Sequence, residues 1–351
     1  MAALYLHVPF REPPSSSEAS EFAAAVVQEA EYYARPPYSD ASFQTLYVGG
    51  GRPSLLPPST LRPLVETIRK KRGATAIEEA TLELHPDDAS PTFLTALRTL
   101  GITRLSMDAR SSAAEEVRAL ISQARDVRFE SLSVDLDFGG TGQPLSTWKA
   151  RLHRAVDLRV PHVTLHEHAP ERTQNGEDER ADHFAFAMRF LDAKGYEQYE
   201  LTHFARPGHR SRYQEHVYAH GNVLGLGPGA ESFWWPDRSD PSTARRWSNV
   251  SDVATYGEQL RNDASPIAQE ENLDRRALAR EYILLRLRTS DGLDLDVLDD
   301  QYDCSLRDHR AAILNRLAAE GLIHDDPDRV RLTPRGRLLA DAVTQRLIRE
   351  T

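Results

Sequence analysis

The chain has 351 residues, of which 40% are hydrophobic and 27% are charged, and its formal net charge is −10. This is the composition of a globular protein with a sizeable core, and no apolar run approaches the roughly 18 residues that a membrane span requires. The negative charge disfavours non-specific attraction to phosphates, so we expect no nucleic-acid partner. With a single cysteine, Cys304, and no export signal at its amino terminus, the sequence predicts a cytoplasmic protein without disulfides.

The first half of the chain alternates short apolar runs with helical stretches, which is the pattern of a parallel sheet or barrel. The apolar, β-branched runs predict strands at residues 4–8, 45–48, 81–84, 104–107, 131–136 and 162–166. Helical spacing or composition predicts helices at residues 18–34, 59–72, 91–99, 113–124, 147–157 and 182–194. Together these segments predict about six βα units.

The last third of the chain has a different organisation. Polar, irregular sequence indicates a connector over residues 237–270, between a barrel domain at 1–236 and a C-terminal domain at 271–351. Helical patterns at 274–287 and 306–320 precede two short apolar runs around an Asp-Pro turn, which is typical of a winged-helix-like module. Such modules often bind DNA, but the acidic charge and the preceding barrel favour a packing or protein-interaction role.

Several phrases of the sequence occur in the order found in one known family. They include LYLHVPF from residue 4, TLYVGGGRPSLL from residue 45, TLELHP from residue 81, and later YEQYELTHFARPGHRSR and LGLGPGAESF. The chain resembles the oxygen-independent coproporphyrinogen III oxidase family, and most closely its heme chaperone branch, HemW. The resemblance implies an α/β fold, a partial (β/α)6 TIM-like radical-SAM barrel followed by a C-terminal helical or winged-helix-like domain. Ligands of such barrels collect at the C-terminal ends of the strands.

The first strand is followed in the family by a CxxxCxxC segment. Its thiolates hold an iron–sulfur cluster, and the open iron of this cluster binds S-adenosylmethionine. The corresponding positions here are Arg11, Ser15 and Glu18, and Cys304 lies far away in the C-terminal domain. We therefore expect no iron–sulfur cluster, no radical chemistry and no coproporphyrinogen oxidase activity, and we expect residues 11–20 to form a flexible surface segment.

Other residues match family positions around the S-adenosylmethionine pocket. They are Gly49, Gly50, Gly51, Glu83, Asp135 and Gln143. Glycines in this loop allow the backbone to approach a ligand closely, or they simply form a tight strand-to-helix turn. Four nearby positions depart from the family pattern: Arg52, His85, Asp108 and Arg110. We expect a vestigial pocket that no longer uses S-adenosylmethionine as a cofactor.

Heme is the second ligand that the resemblance implies. The chaperone branch carries an HNxxYW motif whose histidine suits axial ligation of iron. That motif is broken here, because its positions are occupied by Tyr213, Gln214, Val217 and Tyr218. The remaining candidate heme ligands are His209, Tyr213 and His216, and the alternative is that they are polar side chains bound to backbone groups.

Two histidines form a candidate metal site that does not depend on the resemblance. His166 and His168 are two residues apart on a predicted strand, so their side chains point to one face, and His7 and His85 are expected nearby. Imidazole suits zinc, iron, copper or nickel. The competing interpretation is that these histidines make local hydrogen bonds.

These observations leave three functional hypotheses. The preferred one is a pseudoenzyme relative of the heme chaperones that binds or transfers a heme or another tetrapyrrole, or contacts a protein partner. The second is a barrel metalloenzyme whose histidines and metal activate water. The third is a regulator that binds a protein partner through its C-terminal domain.

Overall fold

A computed structural model of the chain describes residues 1–36, 38, 41–71, 77–110, 113–140, 142–168 and 176–349. Strands and helices alternate through the first part of the chain: β1 (Ala2–Val8), α1 (Ser16–Tyr32), β2 (Phe43–Gly50), α2 (Pro58–Lys71), β3 (Glu79–Leu84), α3 (Pro91–Thr99), β4 (Arg104–Asp108), α4 (Ala114–Asp126), β5 (Ser131–Phe138), α5 (Leu145–Asp157), β6 (His162–Glu167) and α6 (Gly176–Ala193). Each strand and helix predicted for this part is confirmed; the helix at 91–99 has the predicted ends, and the other elements have shifted ends. The predicted end of one helix at residue 72 lies outside the described residues.

The following segment extends the same sheet. It contains β7 (Glu197–Gln198), β8 (His203–Ala205), α7 (Arg212–Tyr218), β9 (Asn222–Leu226), β10 (Glu231–Trp234), β11 (Arg245–Asn249), α8 (Val253–Arg261) and β12 (Ile267–Asn272). The strand order is β12-β11-β10-β9-β1-β2-β3-β4-β5-β6-β8-β7. The strands from β9 through β1 to β6 are parallel, and the remaining strands continue each edge in antiparallel pairs. The expected α/β class with an open, partial barrel is confirmed.

The predicted connector, residues 237–270, is more regular than its polar composition indicated. It contains β11, α8 and most of β12, and β11 pairs with both β10 and β12. Strand β12 lies at the sheet edge and is exposed along most of its length, so it has no buried apolar run for a sequence pattern to detect. The domain boundary at residue 236 stays a prediction.

Side-chain alternation along the parallel strands separates an apolar outer face from a polar barrel interior. In β1, Leu4 and Leu6 are buried in the same core as Phe22 of α1. The intervening Tyr5 lies on the interior face, where its ring is 6.0 Å from that of Tyr47 on β2. The helices therefore cover the outside of the sheet, while the interior is left to polar groups.

The C-terminal part of the chain has its own apolar core. Its elements are α9 (Arg275–Leu287), β13 (Leu293–Asp294), α10 (Leu295–Tyr302), α11 (Leu306–Ala319), β14 (Arg329–Val330), α12 (Pro334–Leu338) and α13 (Ala340–Ile348). Leu201 and Trp235, from the preceding part, are buried in this second core. Strand β14 pairs with β13, and the two apolar runs around the Asp-Pro turn meet only in a bridge between Ile323 and Leu332. Among the described helices, none is long and apolar enough to cross a membrane.

Candidate functional site

A cavity of about 380 Å³ opens at the C-terminal ends of the parallel strands; we call it the mouth cavity. Its lining brings together residues that the sequence predicted for two different sites: Gly50, Gly51, Glu83, Asp135 and His166. A second cavity of about 200 Å³ shares Glu83, Asp135 and His166 with it and includes groups deeper in the barrel. The two cavities form a polar channel into the barrel interior.

Glu83 at the end of β3 is the most strongly perturbed acid of this channel. Its Oε1 accepts a hydrogen bond of 2.9 Å from the Tyr47 hydroxyl, and its Oε2 accepts one of 3.1 Å from the Gly50 backbone N–H. Burial raises the pKa of Glu83 to about 7, although the Tyr47 hydrogen bond opposes this. The carboxyl therefore titrates close to neutral pH.

The two predicted metal-binding histidines each face a carboxylate of β5. The Nε2 atom of His166 lies 3.7 Å from Oδ2 of Asp135, and that of His168 lies 3.2 Å from Oδ2 of Asp137. The Asp135 carboxylate raises the pKa of His166. In the part of the chain that the structure describes, no group of three His, Cys, Asp or Glu side chains could hold a metal ion. The metal site therefore stays a prediction, and the described residues around His166 and His168 do not provide three ligands for it.

The other two histidines of that hypothesis are separated. His85 lines the mouth cavity, and its Nδ1 lies 3.4 Å from Oδ2 of Asp87. His7 is not among the residues that line either cavity, because its Nδ1 is held 2.6 Å from the Pro228 carbonyl oxygen. A local hydrogen-bonding role accounts for both rings.

The three glycines at the end of β2 and directly after it pack closely against other parts of the chain. Gly50 has φ = +108°, and a Cβ there would lie 1.8 Å from Cδ2 of His7. A Cβ on Gly51 would lie 2.4 Å from the Phe10 carbonyl oxygen, and one on Gly49 would lie 2.7 Å from a ring carbon of the tyrosine two residues earlier. Close packing within the chain, against β1 and its following loop for two of the glycines and within β2 for the third, thus explains the need for glycine.

Two of the positions that depart from the family pattern introduce arginines at the mouth, and both arginines are paired. Arg52 donates to both carboxylate oxygens of Asp88, each at 2.7 Å. Arg110 donates to both oxygens of Asp108 at 2.8 and 2.7 Å. The pairing of Arg110 with Asp108 was predictable, because both positions depart from the family pattern and carry opposite charges only two residues apart. The partner Asp88 was missed, since nothing in its sequence context marks it.

Of the three positions that carry cluster ligands in the family, Arg11 precedes α1 and the other two lie at its start. Ser15 is the N-cap of this helix, and its Oγ accepts from the Glu18 N–H at 3.2 Å while Glu18 Oε2 accepts from the Ser15 N–H at 2.8 Å. Arg11 lines the mouth cavity. The expectation of a flexible segment over residues 11–20 is wrong from Ser16 onward, because this capping box begins a helix whose Ala19 is buried. None of the three positions supplies a thiolate.

Gln143 and Cys304 lie apart from the mouth cavity. Gln143 follows β5 close to Gly140 and His168, and its Oε1 is buried without a hydrogen-bond partner among the described residues. Cys304 lies between α10 and α11 in the second core, where burial raises the pKa of its thiol. The structure therefore leaves Gln143 outside the group formed by Glu83 and Asp135.

The candidate heme ligands are found at the other end of the barrel. Tyr213 on α7 packs its ring 4.7 Å from that of Tyr47 and 6.2 Å from that of Tyr5. The helix is anchored there because Ser211, its N-cap, donates a hydrogen bond of 3.1 Å to Glu79 at the start of β3. Burial raises the pKa of the Tyr213 hydroxyl, which disfavours a phenolate.

The two histidines of this region also have partners within the chain. The Nε2 atom of His216 lies 2.9 Å from the Asn222 carbonyl oxygen. The Nδ1 atom of His209 lies 3.3 Å from Oγ of Ser131 at the start of β5. Of these two histidines, only His209 has an Nε2 atom without a hydrogen-bond partner in the described part of the chain.

Comparison with known proteins defines the class. Residues 273–339 match the HemN C-terminal domain family. The structure of coproporphyrinogen III oxidase (HemN) from Escherichia coli, a radical SAM enzyme, is similar with a TM-score of 0.82 and 21% identity, over 100% of this chain and 90% of that one. The fold is therefore a radical-SAM-type partial barrel joined to a HemN C-terminal domain.

Sequence relatives narrow this class to a family. The heme chaperone HemW of Mycobacterium tuberculosis is 31% identical over 329 residues, which covers 87% of this chain and 80% of the relative. The heme chaperone HemW of Bacillus subtilis is 26% identical over 381 residues, covering 98% of each chain. The chain belongs to the HemN/HemW family of radical SAM proteins. The resemblance seen in the sequence motifs is confirmed.

Proposed function

We propose that this protein binds or transfers a heme or a related tetrapyrrole as its cargo, in the cytoplasm, without an iron–sulfur cluster and without radical chemistry. The relatives with the highest identity given above are heme chaperones, which supports the tetrapyrrole part of the proposal. The observation that carries the second part is the capping box of Ser15 and Glu18 at two of the three cluster positions.

The residues at the cluster positions do not fit an iron–sulfur cluster. Such clusters require soft thiolate ligands, whereas Arg11 is a cation and Ser15 offers a hydroxyl. The groups of Ser15 and Glu18 are also engaged in mutual hydrogen bonds. The cysteine at position 304 lies in the second core and cannot supply three ligands. We therefore assign no catalytic step to a cluster.

The mouth cavity supports the same proposal. The guanidinium groups of Arg52 and Arg110 are both occupied by carboxylates of the chain, and the glycine loop is filled by His7 and the Phe10 carbonyl. The two ion pairs involve positions that depart from the family pattern, so they are specific to this chain. We propose that the mouth is a vestigial pocket.

The proposal predicts three measurements on one preparation. Anaerobic reconstitution with iron and sulfide should produce no cluster absorbance, and incubation with S-adenosylmethionine and a strong reductant should release no 5′-deoxyadenosine. Titration with hemin should give a stoichiometric change in the Soret band. The Escherichia coli enzyme, treated in parallel, is the positive control for S-adenosylmethionine cleavage.

Each part of the proposal has its own contrary result. A reconstituted cluster together with 5′-deoxyadenosine release would overturn the pseudoenzyme part. Hemin that stays unbound at micromolar protein would overturn the tetrapyrrole part.

A further inference from the structure

A cavity of about 570 Å³ lies between the barrel and the C-terminal helices, and we call it the interdomain cavity. It shares no lining residue with the mouth cavity. One wall contains Phe138 at the end of β5 and Phe184 on α6, whose stacked rings are 5.6 Å apart. The other wall is formed by α12, α13 and Leu339 between them. Its volume falls within the roughly 300–1,000 Å³ of small-molecule sites.

Arg337 of α12 gives this cavity a cationic group that has no close ion-pair partner among the described residues. The two other arginines of the lining are paired, Arg180 with Glu167 at 2.9 Å and Arg288 with a buried glutamate. Arg337 instead donates to the neutral Gln198 Oε1 at 2.6 Å, and no carboxylate of the described residues forms an ion pair with it. Burial lowers the pKa of Arg337, although the charge of Asp192 opposes this. A carboxylate ligand would supply the missing counter-charge through the guanidinium fork.

Two leucines at the rim provide apolar surface beside this charge. Leu338 and Leu339 are 37% and 45% exposed, although they are large apolar side chains at the edge of a well-packed core. Phe138 and Phe184 add only a small apolar area to the lining, because they are 4% and 9% exposed. The two leucines therefore supply most of the apolar surface that a flat ring could contact. The combination of an unpaired arginine with such a surface fits a planar ligand that carries a carboxylate at its edge.

We infer that the interdomain cavity holds the tetrapyrrole, with a ring carboxylate on Arg337 and the ring against Phe184 and Leu339. This inference rests on the proposed function and names its site. The lining residues that the structure describes include no His, Cys, Met or Tyr. Recognition therefore uses the ring and its carboxylates and does not require the iron.

The test is a fluorescence titration of the full-length protein with metal-free mesoporphyrin IX. Arg337→Gln and Leu339→Asn are the site variants. Their matched controls are Arg335→Gln, at an exposed arginine of the same helix, and Leu284→Asn, at a leucine with 47% exposure. We expect each site variant to raise the Kd about tenfold, and the controls to leave it unchanged. The dimethyl ester of mesoporphyrin, which lacks free carboxylates, should bind unmodified protein about tenfold more weakly than the free acid.

Thermal melting of each variant checks that it is folded. Arg337→Lys, which retains the charge, serves as a second variant at this position. Binding of mesoporphyrin and hemin that is equally tight in Arg337→Gln, Leu339→Asn and their controls would overturn the site and leave the proposed function standing. If His209→Ala loses binding while Arg337→Gln still binds normally, the site is also wrong, because the ligand would then lie at the other end of the barrel. If unmodified protein binds neither porphyrin, both the site and the tetrapyrrole part of the proposed function are wrong.

Discussion

Glu29 of α1 is a buried carboxyl that three donors surround. It accepts hydrogen bonds from the Gly227 N–H at 2.8 Å, from Asn249 Nδ2 at 2.6 Å and from the Tyr256 hydroxyl. Burial nevertheless raises the pKa of Glu29 to about 7, because the donors only partly offset the loss of solvent. The folded state therefore prefers the protonated acid at moderately low pH.

This pKa predicts a specific pH dependence of stability. A carboxyl whose pKa is higher in the folded than in the unfolded state contributes stability that is present in acid and is lost as the pH rises through the folded pKa of about 7. The free energy of unfolding of the unmodified protein should therefore fall, relative to Glu29→Gln, by about 3 kcal/mol between roughly pH 5 and pH 8. Urea unfolding across this range measures the difference. If the free energy of unfolding changes with pH in the same way in both proteins, the prediction is wrong. Glu21→Gln, at an exposed position on the same helix, is the control.

At the scale of single elements, the capping box makes α1 depend on Ser15. Its hydroxyl accepts from the N–H of Glu18, one of the otherwise unpaired donors of the first helical turn. Ser15→Ala should lower the free energy of unfolding by about 1 kcal/mol. Ser17→Ala, which removes a hydroxyl bound to the exposed Glu21 side chain, should change it by less than about 0.5 kcal/mol. Equal effects of the two substitutions in chemical denaturation would show that Ser15 does not act as a cap.

The elements also show where sequence patterns stop being informative. The buried strands from β1 to β6 were predictable because each is a short apolar run between helical segments. The strand β11 and the edge strand β12 were not predictable, since their sequences carry no buried apolar run that marks them as strands. At the site, Glu83 and Asp135 could be placed together because parallel strands end at one edge. The packing of Tyr213 against Tyr5 and Tyr47 could not be predicted, because it depends on how α7 packs onto the barrel.

At the scale of the whole molecule, one buried acid links the barrel to the C-terminal helices. Glu200, between β7 and β8, lies 2.6 Å from Nη2 of Arg288 at the end of α9 and 2.7 Å from Nδ1 of His203. The backbone adds a hydrogen bond of 2.9 Å from the Leu201 N–H to the Arg288 carbonyl. Burial alone would raise the pKa of Glu200, but the hydrogen bond with His203 and the charge of Arg288 hold it at about 2. The same arginine lines the interdomain cavity, so this contact also fixes one wall of the proposed site.

Glu200→Gln should therefore weaken the whole molecule. Removing one partner of a buried ion pair leaves the Arg288 charge uncompensated, and we expect the free energy of unfolding at pH 7 to fall by about 3 kcal/mol. Because the folded pKa is lowered, the stabilisation is present above the ordinary glutamate pKa of about 4.3 and disappears as the pH falls through about 2. Urea unfolding should therefore show that the free energies of unfolding of the unmodified protein and of Glu200→Gln become more similar below roughly pH 4. The control is Glu197→Gln, which removes an exposed carboxylate 3.2 Å from Arg210 and should lower the free energy of unfolding by less than about 1 kcal/mol. If it lowers this free energy as much as Glu200→Gln does, burial of the ion pair is not the reason for the larger loss.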